Sequence, residues 1–316
     1  MNRRLLCQVL LCFVLASGLG CSTGTQSTPA YAESTREALA VLRQAETVDY
    51  PAVGFAGERT ATYDAFASLS ESATTDQLVG LLDDSNAVVA TYAFWALSDR
   101  LDPAALFPLM MKQLRNETQV KMFAGCIKYT ATVGDEALDM MELTPKQDAQ
   151  VLDFLLTQEN NLSARGSYLE SRQIPARYYD RVRALAQKPV PEALVALARY
   201  QREADIGVIV KNLNEHPFHA LRAISYFPHE RFLPHLEAFQ KPMLAEKYWS
   251  TTQREFYSTA SQYRSPRAIA MLAVPFDEAK DVPMRSYHLR FVAAAVEREA
   301  DAFHDPIRDL LHAQKP

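Results

Sequence analysis

Glycine is scarce, with 10 in 316 residues, while proline reaches 17. So few glycines disfavour folds built from many tight hairpins, and disfavour glycine-rich phosphate loops. There are only four cysteines, at 7, 12, 21 and 126, and no paired C-x-x-C. P-loop, G-x-S-x-G and H-E-x-x-H motifs are absent as well. No strong catalytic signature is present, so no enzymatic activity and no cofactor is expected. Excess positive charge is also lacking: the net charge is −5, which argues against a nucleic-acid partner. The one long apolar run, Leu5–Leu15, is too short for an ordinary membrane-spanning helix.

That run has a different use. Arg3 and Arg4 precede it, and Gly18-Leu19-Gly20-Cys21 follows. A basic start, a short apolar stretch and a small residue before the cleavage point form an export signal over residues 1–20. With Gly20 before Cys21, the segment resembles a bacterial lipoprotein signal. That family usually has Leu three residues before the cysteine, where this chain has Gly18. The resemblance implies a lipid-modified (palmitate-bearing) Cys21 at the mature N-terminus. With Ser22 next, it implies an outer-membrane lipoprotein facing the periplasm. Plain secretion with cleavage after Ala30-Tyr31-Ala32 is the alternative. Residues 21–34, rich in Ser, Thr, Gly and Pro, have the composition of a flexible tether.

From residue 35 to 316 the pattern is helical. Ala-rich apolar segments alternate with amphipathic ones. Ala93-Phe94-Trp95-Ala96-Leu97 precedes Asp102-Pro103, and Ala220–Ile224 precedes Arg231–Leu236. Asp102-Pro103, Ser265-Pro266 and Asp305-Pro306 each pair a capping residue with proline at a helix start. Matching positions, Leu69, Leu97, Ile127, then Leu197, Ile224, Ala260 and Ala294, recur at roughly 27 to 36 residues, a period typical of helical solenoids. Leu81–Leu97, with Val88 and the Ala93/Ala96-Leu97 positions, resembles a HEAT repeat; Val89 stands where that family has a basic residue, and Val120-Lys121 restores the pair in the next unit. The resemblance implies an all-α fold, a solenoid of antiparallel helix pairs, with a possible break near 160–174. Asn160–Ser167 reads as a loop there, and Cys126 as a buried thiol.

Charge is uneven. Residues 33–160 carry 9 basic and 20 acidic side chains, and residues 161–316 carry 22 and 18. Arg177, Arg181 and Arg183 lie in a local basic stretch of the rear half and are candidate partner contacts. Tyr248 and Trp249 are the second candidate: neighbours in sequence cannot share one helix face, so one of them is expected at the surface. Trp95 is expected in the core. His216, His219, His229 and His235 crowd into twenty residues, but Pro217 puts His216 in a turn, and no metal site is expected. The leading functional expectation is a lipid-anchored envelope scaffold that binds a protein or peptide. The alternative is a cell-wall glycan binder or weak wall-acting hydrolase using carboxylates such as Glu255.

Replacing Cys21 by serine is expected to abolish labelling with radioactive palmitate in cells and to release the chain from the membrane fraction. Persistent labelling would remove Cys21 as the acceptor.

Overall fold

The computed structural model describes residues 30–277, 281–299 and 301–314. Residues 1–20, read as an export signal, and Cys21 lie outside the described residues. Most of the described chain is helical, with seventeen α-helices, several single 3-10 turns and one three-stranded sheet. The sheet corrects the all-helical expectation.

The first part of the chain holds α1 (Glu33–Leu42), β1 (Thr47–Val53), α2 (Ala61–Ser72), α3 (Thr75–Leu81), α4 (Ala87–Ser98), α5 (Pro103–Gln113), β2 (Gln119–Gly125), β3 (Ile127–Thr132) and α6 (Val133–Asp139). Helix α4 is buried at every position from Val88 to Leu97. A helix apolar all round belongs inside, and α4 is packed by α1, α2, α3, α5, α6, β1 and β2. Trp95 is buried there as expected, edge-on to Tyr50 at 4.9 Å.

The sheet has the order β1-β2-β3, with β1 parallel to β2 and β2 antiparallel to β3. Val48 pairs with Met122, and Met122 with Tyr129. Val48, Val120 and Met122 are fully or almost fully buried and form the core face. Tyr92 of α4 ties that face down: its hydroxyl accepts from Asp49 N at 2.7 Å and donates to Asp49 O at 2.9 Å. Val120-Lys121 therefore begins a strand pair and not the second helix of a repeat. The hairpin turns at Gly125, whose φ of +52° suits glycine. Cys126 and Ile127 fall on that turn and are exposed, against the expectation of a buried thiol and a repeat-core isoleucine. Pro51 within β1 and a hairpin of mixed polarity had obscured the alternation.

The remainder is helical: α7 (Pro145–Thr157), α8 (Ser163–Ser171), α9 (Tyr179–Ala186), α10 (Glu192–Ala198), α11 (Ile206–Lys211), α12 (Pro217–Tyr226), α13 (Leu233–Leu244), α14 (Thr251–Ala260), α15 (Pro266–Ala273), α16 (Arg285–Glu297) and α17 (Asp305–Ala313). Alternate helices stack on each other, α8 on α10, α10 on α12, α12 on α14 and α14 on α16. Small side chains permit this closeness. Ala193, Ala196, Ala198, Ala220, Ala223 and Ala260 are all buried. Ser163–Ser167, read as loop, is the first part of α8, and the link from α7 to α8 is Gln158–Leu162. Asp102 and Ser265 cap α5 and α15 as expected. Asp305 instead lies inside α17, because Asp301 caps a single turn just before it.

One junction joins the sheet-bearing part to the helix row. At Gly134, the second residue of α6, a Cβ would meet Gln113 O at 2.8 Å and Leu114 Cα at 3.1 Å. Next to it, the buried Asp135 carboxylate accepts from Ser163 N at 3.0 Å and Ala164 N at 2.9 Å, the first N–H groups of α8. Leu162, the residue before α8, offers no side-chain cap of its own. Asp135→Ala is expected to cost about 2 kcal/mol, since it orphans these donors in a buried site. Gly134→Ala should also destabilise, by forcing backbone apart. Urea unfolding checks both, and a midpoint equal to the parent's for either would contradict the geometry.

Candidate functional site

Of the stacked helices, α8, α12, α14 and α16 turn a strip of side chains to solvent, while α10 is buried from Ala193 to Ala198. The helical period puts Phe218, His219, Arg222, Ser225 and Tyr226 of α12 there, each at least partly exposed. The same strip of α14 carries Thr251, Arg254, Glu255 and Ser258. Glu170 of α8 reaches across to α12, where its Oε1 lies 3.1 Å from both His219 Nε2 and Arg222 Nη1. Arg199, just past α10, stacks on the Tyr226 ring with its guanidinium carbon 4.3 Å from the ring centre. It also donates to the carbonyls of Leu169 and Arg172 at the end of α8. A hydrogen bond from Arg199 holds the Tyr226 phenol below its ordinary range, with Arg222 helping. Burial raises Glu255, and Arg222, Arg254 and Arg298 oppose that rise. Arg298, beyond α16, donates to Ser258 Oγ at 3.2 Å. The result is a band of charged groups running from α8 across α12 to α14, with Arg199 and Arg298 supplied from just past α10 and α16.

An aromatic platform adjoins the band. Tyr248 and Trp249 sit in the short link before α14 and are 82% and 54% exposed, so both members of the pair reach the surface. Trp249 lies parallel to Tyr287 of α16, with 6.2 Å between ring centres and 7° between planes. Arg290, one turn on, places its guanidinium 5.6 Å from the Tyr287 ring. Sequence reasoning missed Tyr287, because only stacking in the third dimension brings it beside Trp249. Of the other aromatics of this half that fall among charged residues, Tyr178, Tyr257 and Tyr263 are buried and Tyr179 is half-buried.

The arginines read from sequence divide. Arg177 is exposed, in the single turn before α9, with its guanidinium 4.6 Å from the Tyr178 ring centre. Arg181 donates to Leu156 O at 2.6 Å, which satisfies a terminal carbonyl of α7, and pairs with Glu159. Arg183 pairs at 2.9 Å with the buried Asp205. The latter two hold neighbouring helices as much as they present charge. The histidines disperse: His219 faces Glu170, while His229 accepts from Arg231 N and lies 3.6 Å from Glu203. Among the described residues, no group of three or more His, Cys, Asp or Glu side chains is arranged to hold a metal ion.

Two other places carry polar chemistry. A cleft of about 640 Å³ opens between α6, α7 and α8, lined by Asp139, Asp148, Ser167, Tyr168 and Arg172. Its central groups satisfy one another, since Asp148 accepts from Tyr168 Oη at 2.9 Å and pairs with Arg172. Under the sheet, Glu136 is buried and accepts a long hydrogen bond of 3.4 Å from Tyr129 Oη. Burial, with Asp139 nearby, pushes its carboxyl up to about 7. No family model matches the chain, and no curated protein matches it.

Glu136 sets a pH dependence. Its folded form keeps a proton that the unfolded chain releases near the ordinary carboxyl range, so its contribution to stability falls as pH rises from about 4.5 to 7. Glu136→Gln removes that loss. The melting temperature of the variant should exceed the parent's at pH 8, with the gap closing towards pH 5. A gap independent of pH would show that Glu136 does not titrate in this window.

Proposed function

We propose that the chain is a lipid-anchored scaffold of the bacterial cell envelope. It holds a protein or peptide partner along the exposed strip of its stacked helices. The anchor is Cys21, the tether is residues 21–34, and the folded body faces the periplasm from the outer membrane. The stacking of alternate helices supports a solenoid reading of the rear half, HEAT-like in its helix pairs. Glu170 spans α10 to meet α12, which supports a row that closes towards this strip, as the inner side of a solenoid does. The role is binding, without chemistry of its own.

The observation that carries this reading is the stack of the exposed Trp249 on the half-buried Tyr287 beside Arg290. Tryptophan, tyrosine and arginine are the residues that concentrate binding energy at protein interfaces. Here they stand together at the surface while most of the fold's rings are packed. The neighbouring band of alternating charge adds orientation and partner selectivity, more than raw affinity. Arg177 extends the basic surface on the other helix layer.

A second reading draws on the same platform. Parallel aromatic rings also suit the flat faces of sugars, and Glu255 supplies a carboxylate with a raised pKa. This is the envelope glycan binder or weak hydrolase. Calorimetry with cell-wall fragments separates the two.

The test is capture of the full-length protein from native membranes after mild crosslinking in cells, with the Cys21→Ser form as a control. Trp249→Ala combined with Tyr287→Ala should lower recovery of the principal partner at least about tenfold, while Arg177→Glu has a smaller effect. Unchanged recovery in the double variant would sink the platform as the contact. Heat with wall fragments, lost in the same variant, would move the assignment to glycan.

A further inference from the structure

Two turns meet at one end of the sheet, and both carry apolar side chains outward. The first follows β1. Val53 and Glu58 exchange backbone hydrogen bonds of 2.9 and 2.7 Å, which close a small loop around Phe55. Gly54 and Gly57 take φ of +72° and +65°, a region that other residues enter only with strain. The second turn is the β2–β3 reversal at Gly125, followed by Cys126 and Ile127. Gly54 N donates to Gly125 O at 2.8 Å, so the turns are fastened to each other. Three of the chain's 10 glycines serve this one feature.

The tip they form is apolar and projecting. Phe55 is 103% exposed, as open as in an extended peptide, and Ile127 is 66% exposed. Cys126, next to Ile127 on the second turn, is exposed too. None of Gly54–Gly57 or Ala124–Ile127 is charged. Neither Phe55 nor Ile127 packs on the core, so folding does not require their apolar character. A single exposed hydrophobic side chain needs no explanation, but two on separate turns locked together form a shaped feature.

The shape selects the occupant. A protein partner would have to provide a cavity matched to a protrusion. A bilayer surface is deformable, and it takes a convex apolar tip without shape matching. No charged residue lies within either tip, with exposed Glu58, Arg59 and Lys128 of mixed sign only flanking them, which points to insertion driven by apolar burial and not by attraction to anionic headgroups. We propose that this double turn dips Phe55 and Ile127 into the surface of a lipid bilayer and so fixes how the fold sits against the membrane. The proposal does not depend on lipidation of Cys21.

The test uses the chain from residue 22 onward, which contains every element of the fold. Cys126 is then its only cysteine, and it lies at the tip. An environment-sensitive fluorophore at Cys126 should brighten and shift to the blue with phosphatidylcholine vesicles. It should do so equally with vesicles of phosphatidylethanolamine and phosphatidylglycerol. Brominated acyl chains should quench it. Unlabelled protein should co-sediment with both vesicle types. Phe55→Ser with Ile127→Ser should lower the bound fraction at least about tenfold, without moving the thermal transition of this exposed site. The proposal is overturned if no lipid-dependent shift or co-sedimentation occurs, if the double variant binds equally, or if binding requires the anionic lipid. A concentration-dependent dimer that the double variant abolishes would assign the tip to a second copy and likewise overturn it.

Discussion

The contact at Gly134 and Asp135 is the hinge pin between two kinds of packing. On one side, the missing Cβ of Gly134 lets α6 begin hard against the end of α5. On the other, the Asp135 carboxylate supplies the N-terminal cap that α8 lacks, from 28 residues away. Carboxylates are favoured at helix starts because the first N–H groups have no partner within the helix and the helix dipole is positive there. The same carboxylate also accepts from Thr132 Oγ1, so this buried group takes three hydrogen bonds. Since α10, α12, α14 and α16 each stack on the helix before, the direction of α8 propagates through the row. The position of the exposed strip is in that sense inherited from a carboxylate in the sheet-bearing part.

Short helices make the treatment of their ends a general problem here. Helix α10 has seven residues and α11 has six, so much of their backbone lies in terminal turns. The solution recurs: a long polar side chain from one helix reaches the last carbonyls of a neighbour. Arg199 does this for α8, Arg181 for α7, and Gln240 for α15 through Met271 O at 2.7 Å. Tyrosine does the equivalent for extended backbone. Tyr92 takes both polar groups of Asp49, and Tyr263 takes both of His229 at 3.3 Å. These groups rigidify the stack as well as satisfy it, since each bond fixes one helix end against the next. A rigid row presents its strip without the ordering cost that a flexible surface would pay on binding.

What the sequence revealed and what it hid follow the same physics. Periodicity and caps marked the helices, because α-helical burial leaves a repeat of about 3.6 in any single segment. Asp102-Pro103 and Ser265-Pro266 located their starts to the residue. The strands escaped because β1 is interrupted by Pro51, and because Val120–Ile127 has enough apolar residues to imitate a helix. The deciding feature there was Gly125, whose left-handed backbone forms a hairpin instead. At the candidate site, Tyr248 and Trp249 were legible because adjacent aromatics cannot both be buried on one face. Tyr287 was not, since its partner lies 38 positions earlier. Arg181 and Arg183 looked like free charge in one dimension, and only their acceptors, Leu156 O and Asp205, show that they brace the helices.

The exposed aromatic and apolar residues divide into two chemically different groups, and the difference is itself an argument. Phe55 and Ile127 project from glycine-set turns whose tips, Gly54–Gly57 and Ala124–Ile127, carry no charge. Trp249 stacks on Tyr287, which meets Arg290, in the same half of the chain as the carboxylates and guanidinium groups of α12 and α14. Projecting apolar side chains at an uncharged tip have little with which to select a partner and suit a medium. Flat aromatics rimmed by charge have both an apolar surface and directional groups, and suit a particular molecule. A chain that needed only solubility would gain from neither. The two features lie on parts joined through the Asp135 cap of α8, and their chemistry differs as the proposals drawn from them differ.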